Sequence, residues 1–136
     1  MRISALVTNG QGTHDVSVAT GDSAKTLTIR CRDGGFGSSI NGGEFLMLAL
    51  ATCYCNDLYR EAARLGVSVE SVEVKASADF EGVGLAAGNI RYSARVVSPA
   101  PDADVARLLR ETDAVAEVHN TVRAGATVTL ESWGSR

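Results

Sequence analysis

The sequence predicts an α+β fold, and three observations carry that prediction. Segments with an apolar residue at every second position open the chain, which is the period of a half-buried strand. A long run of apolar, strongly helix-forming residues follows, with two further helical segments nearer the C-terminus. Strands and helices come in groups, three strands, a helix, a hairpin, two helices and a last strand, the order of an α+β fold with antiparallel sheets.

The first alternating segment holds Ile3, Ala5 and Val7, the second holds Val16 and Val18 in "HDVSVAT", and the third holds Leu27 and Ile29 in "KTLTIRC". The turn-forming stretches "TNGQG" and "TGDS" separate them, so an N-terminal antiparallel meander is expected. Residues 32–43, "RDGGFGSSINGG", read as a flexible loop, a hinge or mobile flap. From Glu44 to Leu65 the pattern is that of a helix, with Gly66 as a natural stop. Its first turns are apolar on every side and predict a buried central helix, while Arg60, Glu61 and Arg64 predict a wet face in its last turns.

Next, "SVEVKASADF" and "IRYSARVV" alternate around the glycine-rich "EGVGLAAGN", a hairpin with one face in the core. "PDADVARLLRETD" begins a helix with proline and aspartate, and "AVAEVHNTVRAG" is a shorter helix ending at Gly125. The final "ATVTLES" alternates as a last strand, which makes the second layer strand, helix, strand.

With 136 residues, 45% of them hydrophobic, the chain is sized for one domain, residues 1–136. Lys and Arg number 13 against 16 Asp and Glu, and no basic block is present, which argues against nucleic acid as a partner. The longest apolar stretch, Phe45 to Cys55, is about half of a bilayer span, and the opening "MRISALVTNGQG" reaches turn chemistry before any signal-like core develops. A soluble, cytoplasmic protein that uses no membrane is expected. Three cysteines, an odd number, are read as free thiols in a reducing compartment.

The chemistry concentrates in "ALATCYCND", residues 49–57. On a helix Cys53 and Cys55 project about 200° apart, so they do not bridge each other. No second Cys or His pair stands nearby to complete a tetrahedral set, so neither a metal nor another cofactor is expected. Taken from periodicity alone, Cys53, Cys55 and Cys31 read as small packing residues. "GGFGSSINGG" lacks the Lys-Ser/Thr ending of a phosphate loop. His14 and His119 have no serine or cysteine beside them in the sequence, and "HNT" reads as local helix hydrogen bonding.

The order of elements, with "GGEFLMLALATCYCNDLYREAARLGVSVESVEV" and "AVAEVHNTVRAG", resembles the OsmC/Ohr family of thiol-dependent peroxidases over nearly the whole chain. The resemblance implies an OsmC-like fold, an interwoven homodimer, and a role in the oxidative stress response. It places the peroxidatic thiol at Cys53, with Cys55 packing on the far side of the helix. In the family, a Pro-Glu pair supplies a catalytic carboxylate, a Cys-Pro pair supplies the resolving thiol, and an N-terminal arginine supplies positive charge.

This chain departs at all three. Gly42 and Gly43 stand where Pro-Glu is expected, with Glu44 one position later; Ala116-Glu117 replaces Cys-Pro; and "NGQGTHD" replaces the arginine turn.

Two readings follow. In one, the protein is a single-cysteine peroxidase that acts on a hydroperoxide through Cys53, with Glu44 and an arginine such as Arg30, Arg32 or Arg123 rebuilding the polar site and an external thiol as reductant. In the other, it is a non-catalytic module that binds a small hydrophobic ligand in the dimer cleft. A helix apolar all round needs more cover than one small chain supplies, so an obligate homodimer is expected. Sedimentation at micromolar concentration should give the dimer, and a stable monomer would overturn that expectation.

Overall fold

The structure, a computed structural model, describes residues 1–134 and contains two compact units, Met1–Phe45 and the chain from Leu46 onward. In the first unit, β1 (Ile3–Gly10), β2 (Thr13–Thr20) and β3 (Ser23–Leu27) form the expected antiparallel meander in the order β1-β2-β3. The register pairs Val7 with Val16 and Val16 with Leu27, which puts these three residues, with Ile3, Ala5 and Val18, on one face. Two-residue turns join the strands, and Gly12 and Gly21 adopt the positive φ that such turns require.

β3 stops at Leu27, short of the strand expected to run to Cys31. Beyond it the chain closes on itself: Arg30 C=O accepts from Ser39 N–H, Arg32 N–H donates to Gly37 C=O, and Cys31 bridges to Ser38. The loop is also tied to the β1–β2 turn. Gly12 N–H donates to Gly35 C=O, and Asn9 Oδ1 accepts from Gly37 N–H while its amide reaches His14 Nδ1 at 2.9 Å. The segment read as a mobile flap therefore has its own hydrogen bonds, because Gly34, Gly35 and Gly37 take positive φ and let the backbone fold tightly.

Helix α1 (Gly42–Leu65) begins two residues earlier than the sequence pattern suggests. A reciprocal cap sets its start: Asn41 Oδ1 accepts from Glu44 N–H and Glu44 Oε2 accepts from Asn41 N–H, which satisfies two donors that a helix start otherwise leaves open.

In the second unit, β4 (Ser71–Asp79) and β5 (Gly88–Val97) form an antiparallel hairpin, with Val72 opposite Val96, Val74 opposite Ala94 and Ala76 opposite Tyr92. Residues on one face are consistently less exposed than those on the other, as the alternation predicts. α2 (Asp102–Val115) and α3 (Glu117–Ala124) follow, and Gly125 ends α3 in the left-handed conformation. Tyr54, Leu58, Ala62, Leu108 and Ala116 form the core, and Leu65, Val72, Val74, Tyr92 and Val96 pack against it.

Two expectations are corrected. α1 is not buried on every side: Leu48 is 56% exposed, and the helix buries one stripe, Leu50, Tyr54, Asp57, Leu58, Glu61 and Ala62. The hairpin, α2 and α3 cover that stripe only. The wet face also loses a member, because Glu61 lies buried between Arg60 and Arg64, which satisfy its carboxylate.

The last strand does not form: residues 126–134 have no regular structure, and Val128 and Leu130 are 96% and 99% exposed. A strand exists only where a neighbouring backbone completes its hydrogen bonds, which alternation alone does not supply. Among the described residues, no helix is long and apolar enough to cross a membrane.

Leu58 is fully enclosed in the core, so Leu58→Ala should lower unfolding stability by about 2–5 kcal/mol. The shift of the urea midpoint measures it.

Candidate functional site

The candidate site is built where the middle of α1 meets the first turn of α3. Helical geometry puts Asp57 one turn after Cys53 on the same face. The thiol donates to Asp57 Oδ2 at 3.5 Å. Ala116 is extended, which breaks the chain direction between α2 and α3 and starts a new helix whose backbone N–H of Val118 points at the Cys53 sulfur. Glu117, in the same turn, brings its carboxylate to the cluster: Cys53, Asp57 and Glu117 each place one ligand-type atom within 4.8 Å of the others.

Arg60 holds the two carboxylates together. Its Nη1 lies 3.0 Å from Asp57 Oδ1 and 3.6 Å from Glu117 Oε1, and its Nε reaches Glu61 at 3.2 Å. Asp57 is 6% exposed, so this pairing satisfies a carboxylate that burial would otherwise make costly.

The electrostatics at the thiol run opposite to the sequence expectation. Burial raises the Cys53 pKa above the ordinary thiol range; the charges of Asp57 and Glu117 push the same way, and the Val118 N–H opposes them in part. Burial also raises the Asp57 carboxyl, against the hydrogen bond from Cys53 and the charge of Arg60. Among the described residues, the charged groups shifting the Cys53 thiol are the carboxylates of Asp57 and Glu117, with no cation beside the sulfur. Arg60 is one carboxylate away from it, so at neutral pH the protonated thiol, donating to Asp57, is the favoured form.

The remaining predicted residues are accounted for individually. Glu44 is exposed and engaged in the helix cap, nine residues ahead of Cys53, which is about 13 Å of helical rise. Arg123 donates to Asp113 Oδ1 at 2.6 Å and to Asn120 Oδ1 at 3.1 Å. Arg30 and Arg32 belong to the first unit. Cys31, Cys53 and Cys55 are all free thiols, each partly buried. Ala116, at the position of the family's resolving cysteine, is completely buried, and its two successors are the residues that touch the Cys53 site.

Sequence reasoning missed Asp57, Arg60 and Glu117. The first two had a readable signal, since Cys53, Asp57 and Arg60 follow i, i+4 and i+3 spacings on one helix. Glu117 had none, because only folding brings α3 to α1. The three ligand-type atoms are a donor set that a cation could bridge, but Arg60 already supplies the positive charge between the two carboxylates.

Residues 35–131 match the family model described as OsmC-like protein. The fold is similar to that of an OsmC-like protein from Mycoplasma pneumoniae, with a TM-score of 0.62 at 15% identity, covering 90% of this chain and 86% of the other. An organic hydroperoxide resistance protein from Elizabethkingia anophelis gives 0.62 at 16% identity, covering 90% and 89%. The organic hydroperoxide resistance protein OsmC from Legionella pneumophila gives 0.60 at 16%, covering 90% of each chain. No curated protein sequence matches.

Because Asp57 both accepts the thiol proton and raises the thiol pKa by its charge, Asp57→Asn should move the Cys53 alkylation midpoint to lower pH. The pH-rate profile with iodoacetamide checks this, and an unmoved or raised midpoint contradicts the assigned pairing.

Proposed function

This chain belongs to the OsmC-like protein family, and from that premise we propose that it is a single-cysteine thiol redox protein that reduces organic hydroperoxides at Cys53, with an external thiol as reductant. The observation that carries the reading is the Cys53–Asp57 hydrogen bond: a partly buried thiol has a proton acceptor in contact, held in place by Arg60. Similarity to proteins named for organic hydroperoxide resistance supports the substrate class.

The chemistry balances with these groups. Asp57 takes the thiol proton, and the sulfur attacks the distal oxygen of the hydroperoxide. The S–O bond forms as the O–O bond breaks, and the departing alkoxide takes the proton from Asp57 and leaves as the alcohol. Cys53 is then a sulfenic acid. One external thiol condenses with it, releasing water and leaving a mixed disulfide, and a second external thiol regenerates Cys53. The external thiol replaces the resolving cysteine that is missing at Ala116. Asp57 works here as a proton shuttle, and burial raises its carboxyl pKa above the ordinary value, which makes it a stronger proton acceptor than an exposed aspartate. Glu44 contributes to this scheme through α1, whose start it caps.

The proposal includes a homodimer with its cleft near Cys53. Ile3, Leu6, Val7, Leu48, Val128 and Leu130 are large apolar side chains exposed to solvent in a single chain, and a second copy supplies cover of matching chemistry.

The alternative, a module that binds a small hydrophobic ligand without redox chemistry, draws support from the raised pKa of Cys53, since a protonated thiol is a weak nucleophile.

Intact-protein mass spectrometry after brief exposure to cumene hydroperoxide with a sulfenate trap separates the two. One adduct is expected on Cys53, absent in Cys53→Ser and retained in Cys31→Ser and Cys55→Ser. With a thiol reductant present, Asp57→Asn should slow peroxide consumption by about a hundredfold. No adduct on the folded protein would leave the binding module as the function.

A further inference from the structure

The peroxide chemistry leaves His119 unused, and its surroundings are unusual. Its side chain is 3% exposed, yet neither ring nitrogen has a hydrogen-bond partner among the described residues. The ring packs on Tyr92 at 4.4 Å and Tyr54 at 5.8 Å between centroids, so aromatic faces hold it while its polar edge is unsatisfied. An imidazole buried in this way is a rare arrangement that calls for a partner.

His119 also lines an open cleft of about 330 Å³, whose walls include Leu50, Ile90, Tyr92, Val122 and Arg123. We infer that this cleft is a binding site for a small, neutral, hydroxyl-bearing apolar molecule, whose hydroxyl pairs with the His119 imidazole.

The lining sets the ligand's chemistry. Leu50, Ile90 and Val122 give apolar walls, and the volume is roughly twice the 150 Å³ that accommodates a benzene ring, which suits a two-ring aromatic alcohol or a medium-length aliphatic one. Arg123 does not select an anion, because the Asp113 carboxylate balances its charge while Asp113 and Asn120 take hydrogen bonds from its Nη1 and Nη2. Burial, reinforced by Arg123, keeps the His119 pKa below the usual histidine range despite Asp113 and Asp57. A neutral imidazole offers one donor and one acceptor, and a hydroxyl offers the same pair. Both nitrogens are closed to water in the unliganded protein, so binding requires the ring to turn toward the cleft it already lines.

This inference does not depend on turnover, since an alcohol carries no O–O bond. The test uses 2-naphthol and naphthalene with the full chain. 2-Naphthol should bind about three- to tenfold more tightly than naphthalene, the range of one hydrogen bond, and in His119→Phe, which keeps the aromatic stack, the two should bind equally. The ¹⁵N resonances of the His119 ring in the unaltered protein give a readout that survives if the variant fails to fold: they should shift on titration with 2-naphthol and stay in place with naphthalene. Equal affinity of the unaltered protein for the two compounds, no binding of 2-naphthol, or a ring signal that does not respond to it would each overturn the assignment.

Discussion

The site depends on one contact, the buried carboxylate of Asp57 against the thiol of Cys53 with Arg60 on its other oxygen. A carboxylate placed in a core without a cation would protonate or destabilise the helix that carries it. Arg60 offsets this in part while staying off the sulfur, and it also reaches Glu117, in the first turn of α3 beside Cys53, at 3.6 Å. The result is a thiol surrounded by acceptors. A thiol activated by a neighbouring cation ionises ahead of reaction; the chemistry proposed for this arrangement instead moves the proton during reaction, through Asp57.

The same logic repeats one turn later. Glu61 is buried between Arg60 and Arg64, and those hydrogen bonds, led by the one from Arg64, hold its carboxyl below the usual range. Arg64 continues to Glu111 of α2, which also takes Arg107. A ladder of arginines and carboxylates thus ties the C-terminal half of α1 to α2. Exposed members of such a ladder contribute little individually, but the buried carboxylates need their partners, so the arrangement fixes the rotation of α1 as well as its packing. Tyr54 adds a neutral tie, its hydroxyl donating to Leu109 C=O at 2.7 Å, and burial with the charge of Asp113 raises its pKa to about 12, which keeps it a donor at any physiological pH.

Much of the architecture was legible because it rests on local rules. The meander, the long helix with Gly66 after it, the alternating hairpin and the Gly125 stop all follow from period, turn chemistry and backbone freedom, and each appears within a few residues of its expected place. The misreadings share one cause. The run after Leu27, the apolar first half of α1 and the segment from Ala126 all have patterns that require a neighbour, and pattern does not say whether one is present. After Leu27 the chain found its partner within the glycine loop; Val128 and Leu130 found none among the described residues.

The sequence by itself determined the period of each element, the turns between them, and the placing of Cys53, Asp57 and Arg60 on one side of one helix, because helical spacing is a property of the local backbone. The tertiary structure decided which charges the thiol meets. Glu117 and the Val118 N–H reach Cys53 only because α3 packs across α1, and His119 loses water only because Tyr54 and Tyr92, far apart in the chain, close around it. Burial and electrostatic neighbourhood are set by elements distant in sequence, and those two quantities control what a thiol or an imidazole can do.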